Sequence, residues 1–191
     1  VQKIAGAVRI ELGNRLDLLE KNVYRLCYIV DFPMYELSDE GKIDFNHNPF
    51  SMPKGGVEAL QAAKTDAEKL AIVADQYDMV MNGYEICSGA VRNHNPEVMY
   101  EAFGVLGYDK NYVERKFGAM LNAFKFGAPP HAGCAFGLDR IFMILMNEEN
   151  IREVVAFPKN GSGVDVMMAS PSFVDQIQLD ELKIQVREDE D

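Results

Sequence analysis

Apolar positions along the chain fall into short blocks of changing period, and each change marks an element. Ile4, Val8, Leu12, Leu16 and Leu19 recur at helical spacing, so residues 2–20 read as an amphipathic helix closing in the polar link Glu20-Lys21-Asn22. Residues 24–32 form an apolar run rich in β-branched and aromatic types that stops at Pro33, the pattern of a buried strand. From 36 to 56 the pattern dissolves into Ser, Asp, Gly, Asn and Pro, predicting a long loop, and long loops in compact domains often carry function. Residues 57–74 read as one or two short helices.

Residues 77–92 then read as a hairpin turning at Asn82-Gly83, the dipeptide that a type I′ turn favours. Asn95-Pro96-Glu97 supplies an N-cap, a proline at the first helical position and an early acid, opening a helix to about Leu106. A second helix over 111–126 places Val113, Phe117, Met120, Leu121 and Phe124 on one face and ends at Gly127 and Pro129-Pro130. Residues 132–136 read as a short strand leading directly into a buried apolar helix over 138–146, with further strands at 154–157 and 164–168. A final helical or extended piece precedes an acidic tail running Arg187-Glu188-Asp189-Glu190-Asp191. The order is α+β, a mixed, mainly antiparallel sheet with flanking helices, without the repeating βαβ of a doubly wound sheet.

A chain of 191 residues can bury roughly 70% of its unfolded surface, so one compact domain with a real core is the expectation. The net charge of −11 argues against an independent nucleic-acid binder, whose grip on phosphates comes from Lys and Arg. The apolar run 141–146 is far too short to span a bilayer and the N-terminus lacks a signal pattern, so a cytoplasmic protein with no membrane partner is expected. Cys27, Cys87 and Cys134 are odd in number and lack the paired spacing of a zinc site, and read as reduced core thiols.

Candidate chemistry gathers on the hairpin. The two-residue turn sets Val80 against Glu85 and Asp78 against Cys87, so Asp78 and Glu85 share a face. As diagonal neighbours roughly 7–8 Å apart they could hold a hard cation such as Mg²⁺, or form a solvated polar face. Arg92 lies seven residues after Glu85, an odd step that sends the two to opposite faces of a regular strand. If both serve one site a bulge must intervene, and Ser88-Gly89-Ala90 is the natural place for it; otherwise Arg92 is a surface charge. Gly137-Leu138-Asp139-Arg140 sits where a strand becomes a helix, where backbone N–H groups are free to meet a phosphate, although Arg140 could also pair with Asp139 or Glu148. His131 is equally open to a turn or core hydrogen bond, and His47 stands in the long polar loop.

Five strings in order resemble one family, the bacterial aspartyl-tRNA synthetases, over essentially the whole chain. They are VDFPMYE at 30–36, HNPFSMP at 47–53, YDMVMNGYEICSGAVRNH at 77–94, KFGAPPHAGCAFGLDR at 125–140 and NIREVVAFPK at 150–159. The resemblance implies part of a class II catalytic core and makes GLDR the third class II motif, so Gly137, Leu138, Asp139 and Arg140 would contact ATP. Arg140 would meet the γ-phosphate. Glu85 would be the carboxylate of ATP and magnesium and Asp78 the second acid; Arg92 would pair with the side chain of L-aspartate, and His47 would close over the amino acid. Glu85 and Arg140 would then be the catalytic pair.

The chain departs from the family in carrying Asn48 where many members have a second His, and in having no Phe-Arg-x-Glu string of the second motif, no first motif and no anticodon-binding barrel. It is therefore expected to be a piece of an aspartate-tRNA ligase, with residues 1–22 ending an insertion module and 23–191 forming the C-terminal part of the catalytic domain. The piece alone is expected to be inactive. The whole protein would use ATP and Mg²⁺, act on tRNA and form a homodimer. The alternative is a stand-alone paralogue that binds an amino acid or nucleotide in a regulatory role.

Overall fold

The computed structural model describes residues 2–187, so residues 188–191 of the expected acidic tail lie outside the described residues. The chain divides into two compact units, residues 1–137 and 138–191.

The first unit opens with α1 (Gln2–Arg15), shorter than the expected 2–20. Asp17 adopts a left-handed φ of 49°, and the Leu18 and Asp17 N–H groups donate to the Gly13 and Asn14 carbonyls, closing the helix as a Schellman motif. Its apolar positions face solvent, with Ile4, Val8, Leu12 and Leu16 all at least half exposed. Strand β1 (Leu26–Pro33) follows, where a buried strand was expected; it is an edge strand, exposed at all but one position, because only β4 pairs with it. The stretch expected to be loop holds a small hairpin, β2 (Tyr35–Leu37) and β3 (Ile43–Phe45). Then come α2 (Gly56–Ala62) and α3 (Asp66–Leu70), the latter opened by a capping box between Thr65 and Glu68.

Next, β4 (Val73–Met81) and β5 (Tyr84–Val91) form the expected hairpin. Asn82 and Gly83 take φ values of 50° and 88°, the positive pair that a type I′ turn requires. Asn82 also ties down the lead into β1, its side chain accepting from Arg25 N–H at 2.8 Å and donating to the Val23 carbonyl at 3.0 Å. Helices α4 (Pro96–Gly104) and α5 (Lys110–Phe124) start at the side-chain caps Asn95 and Asp109; α5 bends at Phe117, whose φ of −123° leaves the helical range. Strand β6 (Ala132–Phe136) completes an antiparallel sheet of order β1-β4-β5-β6.

Helix α4 joins two apolar clusters by presenting two stripes. Val98 and Ala102 pack with Met34, Tyr35, Leu60, Ile72 and Ala74, while Met99 and Phe103 pack with Val113 and Leu121. The Tyr35 hydroxyl donates to the Ala102 carbonyl at 2.9 Å, and burial raises its pKa above the ordinary tyrosine value.

The second unit holds α6 (Leu138–Leu145), a 3₁₀ turn η1 (Ile151–Glu153) and α7 (Gln176–Leu182). Helix α6 forms as expected but is not buried: Met143 alone among its residues is enclosed. The strands expected at 154–157 and 164–168 do not form. In their place Asp165 makes isolated bridges with Lys159 and Ser170 and caps the turn through the Met167 and Met168 N–H groups. No helix among the described residues is long and apolar enough to cross a membrane. Of the three thiols Cys87 is buried, whereas Cys27 and Cys134 are exposed, so only the first is the core thiol expected.

Candidate functional site

The site is organised by one irregularity in the hairpin. Met79 pairs with Cys87, but the next residue of β4, Val80, pairs with Glu85. Ile86 is therefore the extra residue of a β-bulge, and the bulge leaves Ile86 and Cys87 buried side by side, at 5% and 3% exposure, where a regular strand would expose one of them. The Ile86 carbonyl turns to accept the Gly137 N–H at 2.9 Å, which holds the start of the GLDR string against β5.

The bulge changes side-chain direction by one step. Glu85, opposite Val80, lies on the face of β4 that carries Asp78 and Gln76; beyond the bulge Ser88 sits opposite Asp78 and Ala90 opposite Gln76, and Arg92 continues the same face. The expectation that Asp78 faces Cys87 is corrected by this register. So is the position of the bulge, expected at Ser88-Gly89-Ala90 and found three residues from the turn. Its effect is the one the shared site required, since Glu85 and Arg92 come to one face despite their odd spacing.

Gly89 is not the bulge residue but is sterically necessary. A Cβ there would lie 2.6 Å from Tyr77 Cζ and 2.7 Å from the Gly133 carbonyl oxygen, because the Tyr77 ring lies over β5 and its hydroxyl donates to that same carbonyl at 3.3 Å.

Around Arg92 the loop 46–54 is fixed by backbone bonds to both strands of the hairpin. Met52 N–H donates to Val91 and Asn93 N–H to Phe50, while Lys54 N–H donates to Val73 and Asp75 N–H to Met52, each at 2.8 Å. Arg92 itself bridges to Ser51, and its N–H donates to the His131 carbonyl at 2.9 Å. The guanidinium-bearing residue is thus held on both sides by backbone and is half-buried. A cavity of about 240 Å³ opens beside it, lined among others by Asn48, Gln76, Ser88, Ala90 and Arg92. Its size suits an amino acid better than a drug-sized ligand, whose pockets run to roughly 300–1,000 Å³.

Asp78 Oδ1 is enclosed and has no hydrogen-bond partner among the described residues. An orphaned buried carboxylate oxygen is costly unless a cation or donor reaches it. Among the described residues no group of three or more His, Cys, Asp or Glu is gathered for a metal.

The remaining expected residues are placed as follows. His47 does not line the cavity; it is exposed and packs edge-on against Phe32, with ring centroids 5.6 Å apart, while its neighbour Asn48 faces the cavity and accepts from the Phe50 N–H. Leu138, Asp139 and Arg140 form the first turn of α6 in the second unit. The Gly137 N–H is taken by Ile86, so the backbone donors available at that helix start begin at Leu138. His131 makes a turn contact, Nδ1 lying 2.9 Å from the Pro129 carbonyl. Sequence reasoning missed Gln76 and Ser88 and named Asn48 only as a departure from the family; extending the carboxylate face two residues past Asp78 would have found Gln76, whereas Ser88 reaches that face only through the bulge.

Known proteins resemble this chain in sequence and in fold. The sequence profile of the class II tRNA synthetases (D, K and N) matches residues 7–161. Ligases named aspartate–tRNA(Asp/Asn) ligase from Rickettsia africae (strain ESF-5) and Rickettsia prowazekii (strain Madrid E) are each 57% identical over 183 residues, covering 95% of this chain and 30% of theirs. The chain thus spans 30% of the length of the curated relatives it matches. The structure of aspartyl tRNA synthetase from Entamoeba histolytica superposes with a TM-score of 0.52 at 25% identity, covering 82% of this chain and 26% of that one. The mainly antiparallel sheet with flanking helices is the fold those proteins share, and the profile covers most of the chain. This chain belongs to the class II tRNA synthetases of the D, K and N group.

Proposed function

We propose that this chain carries the amino-acid and nucleotide contacts of an aspartate–tRNA ligase. The observation that carries the reading is the bulge at Ile86, which gathers Asp78, Glu85, Ser88 and Arg92 on one face beside an amino-acid-sized cavity. Arg92 takes the side-chain carboxylate of L-aspartate as a bidentate, charge-assisted pair, a match of geometry that lysine cannot make. Gln76, Ser88 and Asn48 offer neutral hydrogen bonds around it. Asp78 and Glu85 would hold Mg²⁺, whose charge would neutralise the phosphates of ATP. Leu138, Asp139 and Arg140 would supply backbone donors and a guanidinium for the nucleotide.

The chemistry needs no covalent nucleophile. In the whole protein the α-carboxylate of aspartate attacks the α-phosphorus of ATP, pyrophosphate leaves, and the aspartyl group passes to the 3′ end of tRNA. Positioning and charge stabilisation by these side chains are the protein's contribution. The identity to ligases named for tRNA(Asp/Asn) supports the same acceptor class here.

The test is aspartate-dependent pyrophosphate exchange in the whole protein, varying aspartate and ATP separately. Removing one partner of a charge pair inside a closed site costs about 2–5 kcal/mol, so Arg92→Ala should lower kcat/KM for aspartate by roughly 10²-fold at about 1.4 kcal/mol per tenfold step, with little change for ATP. Asp78→Asn should instead raise the Mg²⁺ requirement and leave the aspartate KM near wild type. A loss on Arg92→Ala that falls mainly on ATP, or is below about threefold on aspartate, would overturn the assignment.

A further inference from the structure

The cavity beside Arg92 is lined by two carboxamides whose oxygens are turned toward donors of the protein itself. Asn48 Oδ1 accepts the Phe50 N–H at 2.9 Å. A backbone N–H can only donate, so this amide cannot be turned over without losing that bond, and Nδ2 is the end of Asn48 left for the cavity. A side chain holds Gln76 in the same sense. Ser51 is fully buried, and its hydroxyl donates to Gln76 Oε1 at a long 3.5 Å, its one hydrogen-bond partner among the described residues. Turning the Gln76 amide over would leave the hydroxyl proton buried without an acceptor, which is costly. Nε2 is therefore the end that Gln76 presents to the cavity. Arg92, which can only donate, continues the face that carries Gln76.

We propose that Asn48 and Gln76 are specificity-determining residues that admit the side-chain carboxylate of L-aspartate and refuse the carboxamide of L-asparagine. The inference rests on the reading of this cavity as the aspartate site and deepens it: Arg92 supplies the charge, and the two amides decide which atoms can surround it. A carboxylate brings acceptors only, and it can take an N–H from each amide besides the guanidinium fork. The asparagine side chain is nearly the same size, so cavity volume cannot separate the two. Its amide brings two N–H donors to a wall of donors, and they meet no acceptor there whichever way it is turned. A site that leaves polar groups unpaired rejects a near-isostere far more strongly than a difference in bulk does.

The acceptors of this face stand further along it. Among the described residues Asp78 and Glu85 do not line the cavity, and the one strong side-chain acceptor that does is the Ser88 hydroxyl. Ser88 stands opposite Asp78, one pair along the face from Gln76 and Ala90. Donors thus gather at the Arg92 end and acceptors at the Asp78 end, which sorts the charges of an amino acid as well: the side-chain carboxylate goes to Arg92 and the α-ammonium toward the acids.

The experiment measures aspartate-dependent pyrophosphate exchange in the whole protein with L-asparagine as competitor, and reads the ratio of the asparagine Ki to the aspartate KM. Asn48→Asp keeps an oxygen for the Phe50 N–H and puts an anion where the amide nitrogen was; Gln76→Glu does the same beside Ser51. A like charge there should raise the aspartate KM while asparagine, given an acceptor, binds no worse, so the ratio should fall by at least about tenfold in each variant. A general loss of structure would instead raise KM and Ki together and leave the ratio in place. If the buried carboxylate keeps Gln76→Glu from folding, Gln76→Met, neutral and of similar size, carries the test by losing the donor alone, and should lower the ratio by more than about threefold. A ratio within about threefold of wild type in either folded variant would overturn the proposal. Wild-type protein without aspartate-dependent exchange would overturn the reading beneath it as well, whereas exchange with aspartate whose ratio the variants preserve would overturn this inference alone.

Discussion

Replacing Gly89 with alanine isolates the steric condition under which β5 lies beneath the Tyr77 ring. In an ordinary strand the change is favourable, because alanine has less unfolded-state entropy to lose; the gain is about 0.4–1 kcal/mol. Here the added Cβ would meet Tyr77 Cζ at 2.6 Å, Tyr77 Cε2 at 2.7 Å and the Gly133 carbonyl oxygen at 2.7 Å, against ordinary contact from 3.4 Å. The Tyr77 ring can retreat by turning, at the expense of its hydroxyl bond to Gly133. The carbonyl belongs to the neighbouring strand and can retreat only if β6 moves away. Overpacking of this kind costs about 1–3 kcal/mol, so the sign reverses, and a cost of about 2 kcal/mol lowers Tm by roughly 4–8 °C in a chain of this size. Thermal unfolding followed by far-UV circular dichroism measures it. In a Tyr77→Ala background two of the three close contacts vanish, so Gly89→Ala should cost about 1 kcal/mol less there than alone. A stabilising Gly89→Ala, or strict additivity of the two changes, would refute the argument that the ring and the strand compete for this space.

Asn82→Ala should cost about 2 kcal/mol in urea unfolding, since it removes two hydrogen bonds to the lead into β1 and places alanine at positive φ; Asn82→Gly should recover the turn but not those bonds. Tyr35 predicts loss of stability at alkaline pH: its folded pKa is raised above the unfolded value, so the folded state holds a proton that the unfolded state releases, and stability declines as pH rises beyond about 10. Tyr35→Phe should flatten that decline while costing about 1–3 kcal/mol at neutral pH through the unmet Ala102 carbonyl, and an unchanged alkaline slope would contradict the assignment.

The bulge at Ile86 acts on two strands of the first unit at once. Because the Ile86 carbonyl takes the Gly137 N–H, the same distortion that turns Glu85 toward Asp78 also sets where the strand before the GLDR helix ends. A regular hairpin would keep the turn and lose both effects.

What the sequence alone determined were features whose cause lies within a few residues. Asn82-Gly83 imposes positive φ twice and therefore a tight hairpin, Asn95-Pro96 opens α4, and Gly127 closes the run that follows α5 at a φ of 98°. The order of strands and helices from β4 to α6 followed from such signals, as did the shared face of Asp78 and Glu85, and the motif strings pointed to the family. What only the tertiary structure decided depended on partners distant in the chain. The run 26–33 is apolar enough for a core strand, yet it stands at the sheet edge because the register leaves it one neighbour; α1 and α6 are apolar yet exposed. The bulge sits at Ile86 rather than at Ser88-Gly89 because the turn holds Val80 against Glu85 while Gly137, fifty-one residues on, captures the Ile86 carbonyl. The cavity lining of Gln76, Ser88 and Asn48 was hidden for the same reason: dihedral preference acts along the chain, whereas burial and register are set by whichever segment folds against it.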